Sequence, residues 1–120
     1  MNLPIGIAIH NGNFISASLN GTLANFTSNG INQWSVTSTP TPLDGPTGVA
    51  VDSTGLIYVV DTGNDMIQTF IADGSHNSNF GSANLLTPMG IAIDTMDNSY
   101  VSDTGHDRIV LFDGTGTYQT

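Results

Sequence analysis

The sequence predicts an all-β protein built from three copies of a four-stranded antiparallel unit, and three observations carry this prediction. First, one motif occurs three times in the 120 residues, at a constant spacing of 42 residues. Second, Glu and Lys are absent, and without these strong helix formers a helical bundle is a poor fit. Third, short runs rich in β-branched residues alternate with turns rich in Gly, Asn and Asp.

The repeat opens on a Pro-x-Gly-x-Ala motif and defines one domain, 1–120, with units at 4–45, 46–87 and 88–120. Residues 46–78 align with 88–120 without a gap and share 13 of 33 residues. The first copy is degenerate, because His10 stands where the other copies have Asp and two residues are lost before its third strand. The residues that we take to define the units are Pro4, Gly6, Pro46, Gly48, Asp52, Asp61, Gly63, Pro88, Gly90, Asp94, Asp103, Gly105 and Arg108.

Each unit contains four short strands separated by turns. In the second copy we expect a strand buried on both faces, a second strand, a half-exposed third strand with alternating polarity, and a weaker fourth strand. These strands are expected at 48–52, 56–61, 66–70 and 78–80. Four strands in about 42 residues match the size of a propeller blade.

The second copy resembles an NHL repeat in the runs Pro46–Asp52, Gly55–Asn64 and Ile67–Phe70, and the third in Asp103–Ile109. The resemblance implies four-stranded blades, usually six to a ring around a central channel. The fold class that follows is half of a six-bladed NHL-type β-propeller. It does not fix a function, because NHL propellers bind proteins, sugars or RNA, and a few relatives are enzymes.

Three blades do not close a ring, since propellers typically have 4–8. The third blade is also short, with an outer strand of little more than 116–120. Two chains could therefore complete six blades as a closed dimer, which we favour, or chains could join head-to-tail in a filament. The likeness of Met1–Pro4 to the linker Asn84–Pro88 fits such a joint. Alternatively, the chain is a fragment of a larger NHL-like propeller, including a lyase-type enzyme with catalytic residues on missing blades.

Charge and composition exclude several functions. The chain has ten Asp against one basic residue, Arg108, for a net charge of −9, which rules out nucleic acid as a partner. Cys is absent, so neither disulfides nor Cys-ligated metals are expected. No run approaches the roughly 20 apolar residues of a membrane span, and no signal peptide is visible. The abundance of Ser, Thr and Asn points to an extracellular or cell-surface setting, or else simply to a turn-rich β protein, since turns use the same residues.

The acidic turns are the first candidates for a site. Asp61 with Asp65 and Asp103 with Asp107 offer oxygen ligands to a hard cation such as Ca²⁺. Their spacing differs from that of an EF-hand loop, so we favour the alternative that each Asp caps its own turn. No metal or other cofactor is expected.

No catalytic set is visible. His10, His76 and His106 fall at three different positions of the repeat, and neither Glu nor Cys is present. We therefore expect a protein that is not an enzyme.

Three residues remain as binding candidates. Arg108 is expected to pair with Asp61 or Asp103, or else to anchor a ligand, and His106 lies in the same turn. Trp34 is expected to pack between blades, or else to stack on a sugar. Asn20 and Asn25 each begin a glycosylation acceptor triplet.

Together these features predict a non-catalytic propeller module for binding or scaffolding, with itself as partner and with a protein or carbohydrate ligand. Its chains would assemble through apolar blade faces, with the Asp residues at the rims.

Overall fold

The computed structural model describes residues 3–37 and 40–120. These residues form three antiparallel sheets, in which strands adjacent in the chain are adjacent in the sheet. The first blade contains β1 (Pro4–His10), β2 (Asn13–Ser18), β3 (Leu23–Phe26) and β4 (Asn32–Val36). The second contains β5 (Gly48–Val51), β6 (Ile57–Asp61), β7 (Met66–Phe70) and β8 (His76–Phe80). The third contains β9 (Pro88–Ile93), β10 (Ser99–Asp103) and β11 (Arg108–Phe112).

The predicted all-β architecture is confirmed. The helices among the described residues are two short 3₁₀ turns, at Thr62–Asn64 and Thr104–His106, and neither is long and apolar enough to cross a membrane. The predicted likeness of Met1–Pro4 to the linker Asn84–Pro88 falls partly outside the described residues, because these begin at Leu3. Leu3 does dock on blade 1, since the Leu19 amide donates to its carbonyl.

The third blade has a partial outer strand. Tyr118 lies opposite Phe112, and the Leu111 amide donates to the Thr120 carbonyl at 2.8 Å. The Gln119 amide returns a bond to the Leu111 carbonyl, also at 2.8 Å. The last residues of the chain therefore lie along β11, as the short repeat predicted.

The degenerate first blade loses one residue in each of its first two turns. Ile9 pairs with Phe14, whereas the equivalent Val51 pairs with Ile57 across a turn that is one residue longer. In the next turn, Ala17 pairs with Leu23 where Val60 pairs with Ile67. Both residues are lost from turns, so the side chains of β3 lie on the same faces of the sheet as those of β7. Phe26 therefore occupies the place of Phe70.

Two apolar cores lie between the blades. The core between blades 1 and 2 contains Ile15, Ala17, Leu23, Leu43, Val49, Ile57, Val59 and Phe70. The core between blades 2 and 3 contains Tyr58, Val60, Ile67, Leu85, Val101, Val110 and Phe112. Blade 2 thus contributes one face to each core.

The expectation that Met66–Phe70 would be half-exposed is wrong. All five residues of β7 are buried, including Gln68 and Thr69. The reason is that blade 2 is covered on both faces, so polar alternation no longer marks a solvent-facing side. Gln68 and Thr69 both have hydrogen-bond partners, as burial of polar side chains requires.

Candidate functional site

Asp61 ties the second blade to the linker that precedes it. Its carboxylate is fully buried and accepts hydrogen bonds from the Asp44 amide at 2.7 Å, Asn64 Nδ2 at 2.8 Å and Gln68 Nε2 at 2.7 Å. The Gly63 amide in turn donates to the Asp44 carbonyl at 2.8 Å. This carboxylate is therefore saturated by protein donors.

Asp103 has the same role in the third blade, and one of its partners is the charged side chain of Arg108. It accepts from the Leu86 amide at 2.7 Å, His106 Nδ1 at 2.8 Å and Arg108 Nε at 2.8 Å. Arg108 also donates from Nη2 to the Asn84 carbonyl at 2.6 Å. Burial raises the pKa of Asp103, but these donors together outweigh it and hold that pKa below its ordinary value. The same bond raises the pKa of Arg108.

The interpretation that Asp61 and Asp103 cap their own turns needs correction. Both side chains bond to the linker 17 residues earlier in the chain, and neither caps the 3₁₀ turn that follows it. Asp65 also reaches across, accepting from the Thr87 amide at 2.6 Å. Asp107 is exposed, with its backbone in the left-handed region.

These carboxylates are not arranged as a metal centre. Across residues 3–37 and 40–120, no three His or Asp side chains converge to hold an ion. Asp61 and Asp65 bond instead to two different linkers, the Asp44 amide and the Thr87 amide.

At the opposite end of the blades, Asp side chains do cap turns. Asp52 accepts from the Thr54 and Leu56 amides, and Asp94, Asp73 and Asp113 bond similarly in their own turns. Asp97 joins blades 2 and 3, because it accepts from both the amide and the hydroxyl of Ser53. Turn hydrogen bonds, above all those of side chains, lower the pKa values of Asp73, Asp94 and Asp113. The bonds from the Ser53 hydroxyl and amide lower the pKa of Asp97.

Tyrosines pair with two of these capping carboxylates. The Tyr58 hydroxyl donates to Asp52 at 3.2 Å, and burial together with that carboxylate raises the pKa of Tyr58 to about 12. Tyr100 donates to Asp94 at the same distance, 3.2 Å, and this bond raises its pKa as well. The two pairs occupy equivalent positions in blades 2 and 3.

Trp34 and the histidines serve packing and turn contacts. Trp34 Nε1 donates to the Ala72 carbonyl at 2.9 Å, and its ring lies against Gly74 of blade 2. His10 contacts Asn11, and His76 contacts Asn79. The third, His106, contacts Asp103, so the three histidines lie in three different turns or strands.

The two glycosylation candidates differ in accessibility. Asn20 is exposed in the turn between β2 and β3. Asn25 lies within β3, between β2 and β4, and its side-chain oxygen is buried. Of the two acceptor triplets, the structure presents the one at Asn20.

The largest unexplained features are two uncovered blade faces. The blade 1 free face consists of Ile7, Ile9, Phe14, Ser16, Ala24 and Phe26, and the blade 3 free face consists of Tyr100, Ser102, Ile109 and Leu111. Ile7 and Ile9 are 66% and 78% exposed, and Ile109 is 63% exposed. The sequence predicts apolar blade faces at a joint between chains, but its local pattern does not single out these residues. The 42-residue repeat could have identified them, because it aligns Ile7 and Ile9 with Val49 and Val51 of blade 2.

A groove runs along the blade 1 free face. It has a volume of about 510 Å³ and is lined by β1 to β4. The stacked rings of Phe14 and Phe26, with centroids 5.1 Å apart, form one wall. Small side chains form its floor, since Ser16 and Ala24 stand where blade 2 has Val59 and Gln68.

The fold is shared with known β-propeller structures. Virginiamycin B lyase from Staphylococcus aureus matches with a TM-score of 0.82 and 16% identity, covering 99% of this chain and 43% of that one. A streptogramin B lyase matches with a TM-score of 0.82 and 18% identity, covering 97% of this chain and 39% of that one. A chain in a nidogen/laminin complex matches with a TM-score of 0.81 and 24% identity, covering 97% of this chain and 46% of that one. The three sheets are therefore blades of a β-propeller, and this chain spans less than half of each of these three structures.

The kind of blade follows from a family model. The NHL repeat model matches residues 43–70, which confirms the predicted NHL repeat and places it on blade 2 with the linker before it. A search of curated proteins gave no match.

Proposed function

We propose that this chain is a non-catalytic β-propeller module that self-assembles through its two uncovered blade faces and uses the assembled blades for binding or scaffolding. The observation that carries the proposal is the equivalence of these faces to faces that already pack inside the chain. Ile7 and Ile9 correspond to Val49 and Val51, which pack on blade 1. Tyr100 and Ile109 correspond to Tyr58 and Ile67, which pack on blade 3.

The burial of equivalent residues shows what each free face lacks. Tyr58 is 2% exposed and Tyr100 is 41% exposed, and Ile67 is 0% exposed against 63% for Ile109. Burying one large apolar side chain contributes about 1.5–3 kcal/mol. Several such residues on each face provide a driving force for association, part of which offsets the entropy lost on binding.

The distribution of charge supports the same use of the faces. A chain of net charge −9 repels its own copies, so a joint between copies must be free of carboxylates. The residues that make up the two free faces are all uncharged, while the Asp residues lie in turns, linkers and strand ends. Contact through these faces therefore keeps the Asp side chains at the rims.

The favoured assembly is a closed ring of two chains and six blades, and the other is a head-to-tail filament. Electron microscopy of the purified chain distinguishes them, since one gives compact particles of uniform size and the other gives fibres whose length grows with concentration. Single three-blade particles at every concentration would contradict the proposal.

The proposal also includes a location and a ligand: the module acts outside the cell or on its surface and binds a protein or a carbohydrate. The likeness to a chain of a nidogen/laminin complex supports protein binding as a use of such blades. The exposed Asn20 supports a glycan at that position. Expression in a secreting eukaryotic cell should give a glycosidase-sensitive mass increase that Asn20→Gln abolishes and Asn25→Gln retains. A glycan that persists in Asn20→Gln would overturn this assignment.

The second candidate is a fragment of a larger NHL-like propeller, including a lyase-type enzyme with its catalytic residues on other blades. The likeness to virginiamycin B lyase, of which this chain covers 43%, supports it. The length of the encoding reading frame distinguishes the candidates. A frame with further NHL-type blades favours the fragment, and a frame of about 120 codons favours self-assembly.

A further inference from the structure

We infer that the joint between copies forms between unlike faces, with the blade 3 free face of one copy packed on the blade 1 free face of a second copy. This inference rests on the proposed self-association and adds to it which face meets which. The joint would continue the packing of blade 2 on blade 1 and of blade 3 on blade 2.

The first strands of the blades carry the strongest argument. A Cβ added to Gly6 would lie 2.9 Å from the Thr47 carbonyl of blade 2, and one added to Gly48 would lie 3.1 Å from the Met89 carbonyl of blade 3. The next blade therefore leaves no room for a side chain at Gly6 and very little at Gly48, where Val60 of the same blade is also close, at 3.0 Å. Neither glycine has a positive φ, so backbone conformation does not explain them.

Gly90 occupies the same position in blade 3. The nearest atom to an added Cβ there is Ser102 Oγ of the same blade, at 3.2 Å. A glycine at this position would be needed if the first strand of a further blade packed against it, as the first strand of the next blade does at Gly6 and Gly48. Ile5 occupies the same repeat position as Thr47 and Met89, whose carbonyls lie against Gly6 and Gly48. The carbonyl that would lie against Gly90 is therefore that of Ile5, on β1 of a second copy.

The blade 3 free face is already organised for docking. Tyr100 holds the same hydroxyl bond to Asp94 that the docked Tyr58 holds to Asp52, with both distances at 3.2 Å. The ring is thus fixed in the position that fills an interblade core in blade 2. Fixing a contact residue before binding lowers the entropic cost of association.

Side-chain sizes on the two faces fit each other. The blade 1 free face carries a groove, because Ser16 and Ala24 replace larger residues. The blade 3 free face carries Leu111 at the place of the smaller Thr69. Pairing the unlike faces sets larger side chains against the groove, whereas pairing two blade 1 faces would set one groove against another and leave voids.

Two charge variants test the pairing. Ile9→Asp blocks the blade 1 free face and Ile109→Asp blocks the blade 3 free face. Both side chains are largely exposed within one chain, so each variant should fold, as circular dichroism checks. Each variant alone should have the 12.5 kDa mass of one chain by light scattering. An equimolar mixture should form a dimer of about twice that mass and stop there, because only one joint is intact.

The outcomes separate this inference from the proposed function. If the unmodified chain associates but the mixture stays monomeric, or if either variant alone still dimerises, the pairing of unlike faces is wrong while self-association stands. If the unmodified chain is monomeric, both fail.

A gentler pair of variants tests the glycine argument. Gly90→Ala should leave the fold of the single chain intact and weaken association by about tenfold or more, since its Cβ would enter the joint. Gly114→Ala is the matched control, because a Cβ there meets only ordinary contacts, the nearest at 3.5 Å. Equal association of the two variants would overturn the argument.

Discussion

At the residue scale, blades 2 and 3 each have one buried Asp that joins the blade to the linker before it, and the partners of that Asp differ between the two blades. Asp61 is bound by the neutral amides of Asn64 and Gln68. Asp103 is bound by His106 and Arg108. Met66 fills the place of Arg108 in blade 2, where Gln68 provides the donor that Arg108 provides in blade 3. The chain's single fixed positive charge therefore stabilises a buried carboxylate.

Replacing Arg108 tests this role. Arg108→Met should lower the melting temperature, because the Asp103 carboxylate stays buried without its guanidinium partner. Asp107→Asn, one residue earlier and exposed, is the control and should leave the melting temperature nearly unchanged. An unaltered Arg108→Met protein in thermal unfolding would show that the ion pair is not structural.

Tyr58 gives a prediction about alkaline pH. Its pKa is raised from 10.0 to about 12, so folding favours the neutral phenol. That stabilisation is complete below pH 10 and is lost as the pH rises towards 12. Ultraviolet titration of the folded protein should show a late phenolate phase that Tyr58→Phe removes. Complete ionisation of all tyrosines near pH 10 would be inconsistent with the buried Tyr58–Asp52 pair.

At the element scale, β11 shows how one strand serves a formed core and a free face. Phe112 is 1% exposed in the core with blade 2, while Ile109 points from the opposite face. Phe112→Ala should lower the free energy of unfolding by about 3–5 kcal/mol. Ile109→Ala should cost the single chain less than about 1 kcal/mol. Denaturant unfolding at low protein concentration measures both, and equal losses would contradict the assignment of faces.

The strands themselves were largely predictable from the sequence, because the 42-residue period and the β-branched runs mark them directly. Two features were not. The burial of β7 depends on blade 2 being covered on both faces. Gln68 lies beside Val59 on the face towards blade 1, and Thr69 lies beside Tyr58 on the face towards blade 3. The local pattern assigns both polar side chains to solvent. The partners of Asp61 and Asp103 lie 17 residues away, on linkers whose path only the packed blades define.

At the scale of the whole molecule, the high charge and the apolar faces act in opposite directions. Each chain carries a net charge of −9, so copies repel one another at low ionic strength. Raising NaCl from about 10 mM to about 300 mM should therefore strengthen association, since the screening length falls well below the size of the molecule. Sedimentation at several concentrations measures this. Association that weakens with salt would indicate a joint made of ion pairs.

The central claim is that both free faces are contact faces between copies, and the mass of the unmodified chain in solution tests it most directly. Light scattering at micromolar to millimolar concentrations should give about twice the 12.5 kDa chain mass for a closed ring, or a mass that rises with concentration for a filament. A constant mass of 12.5 kDa over that range would contradict the claim.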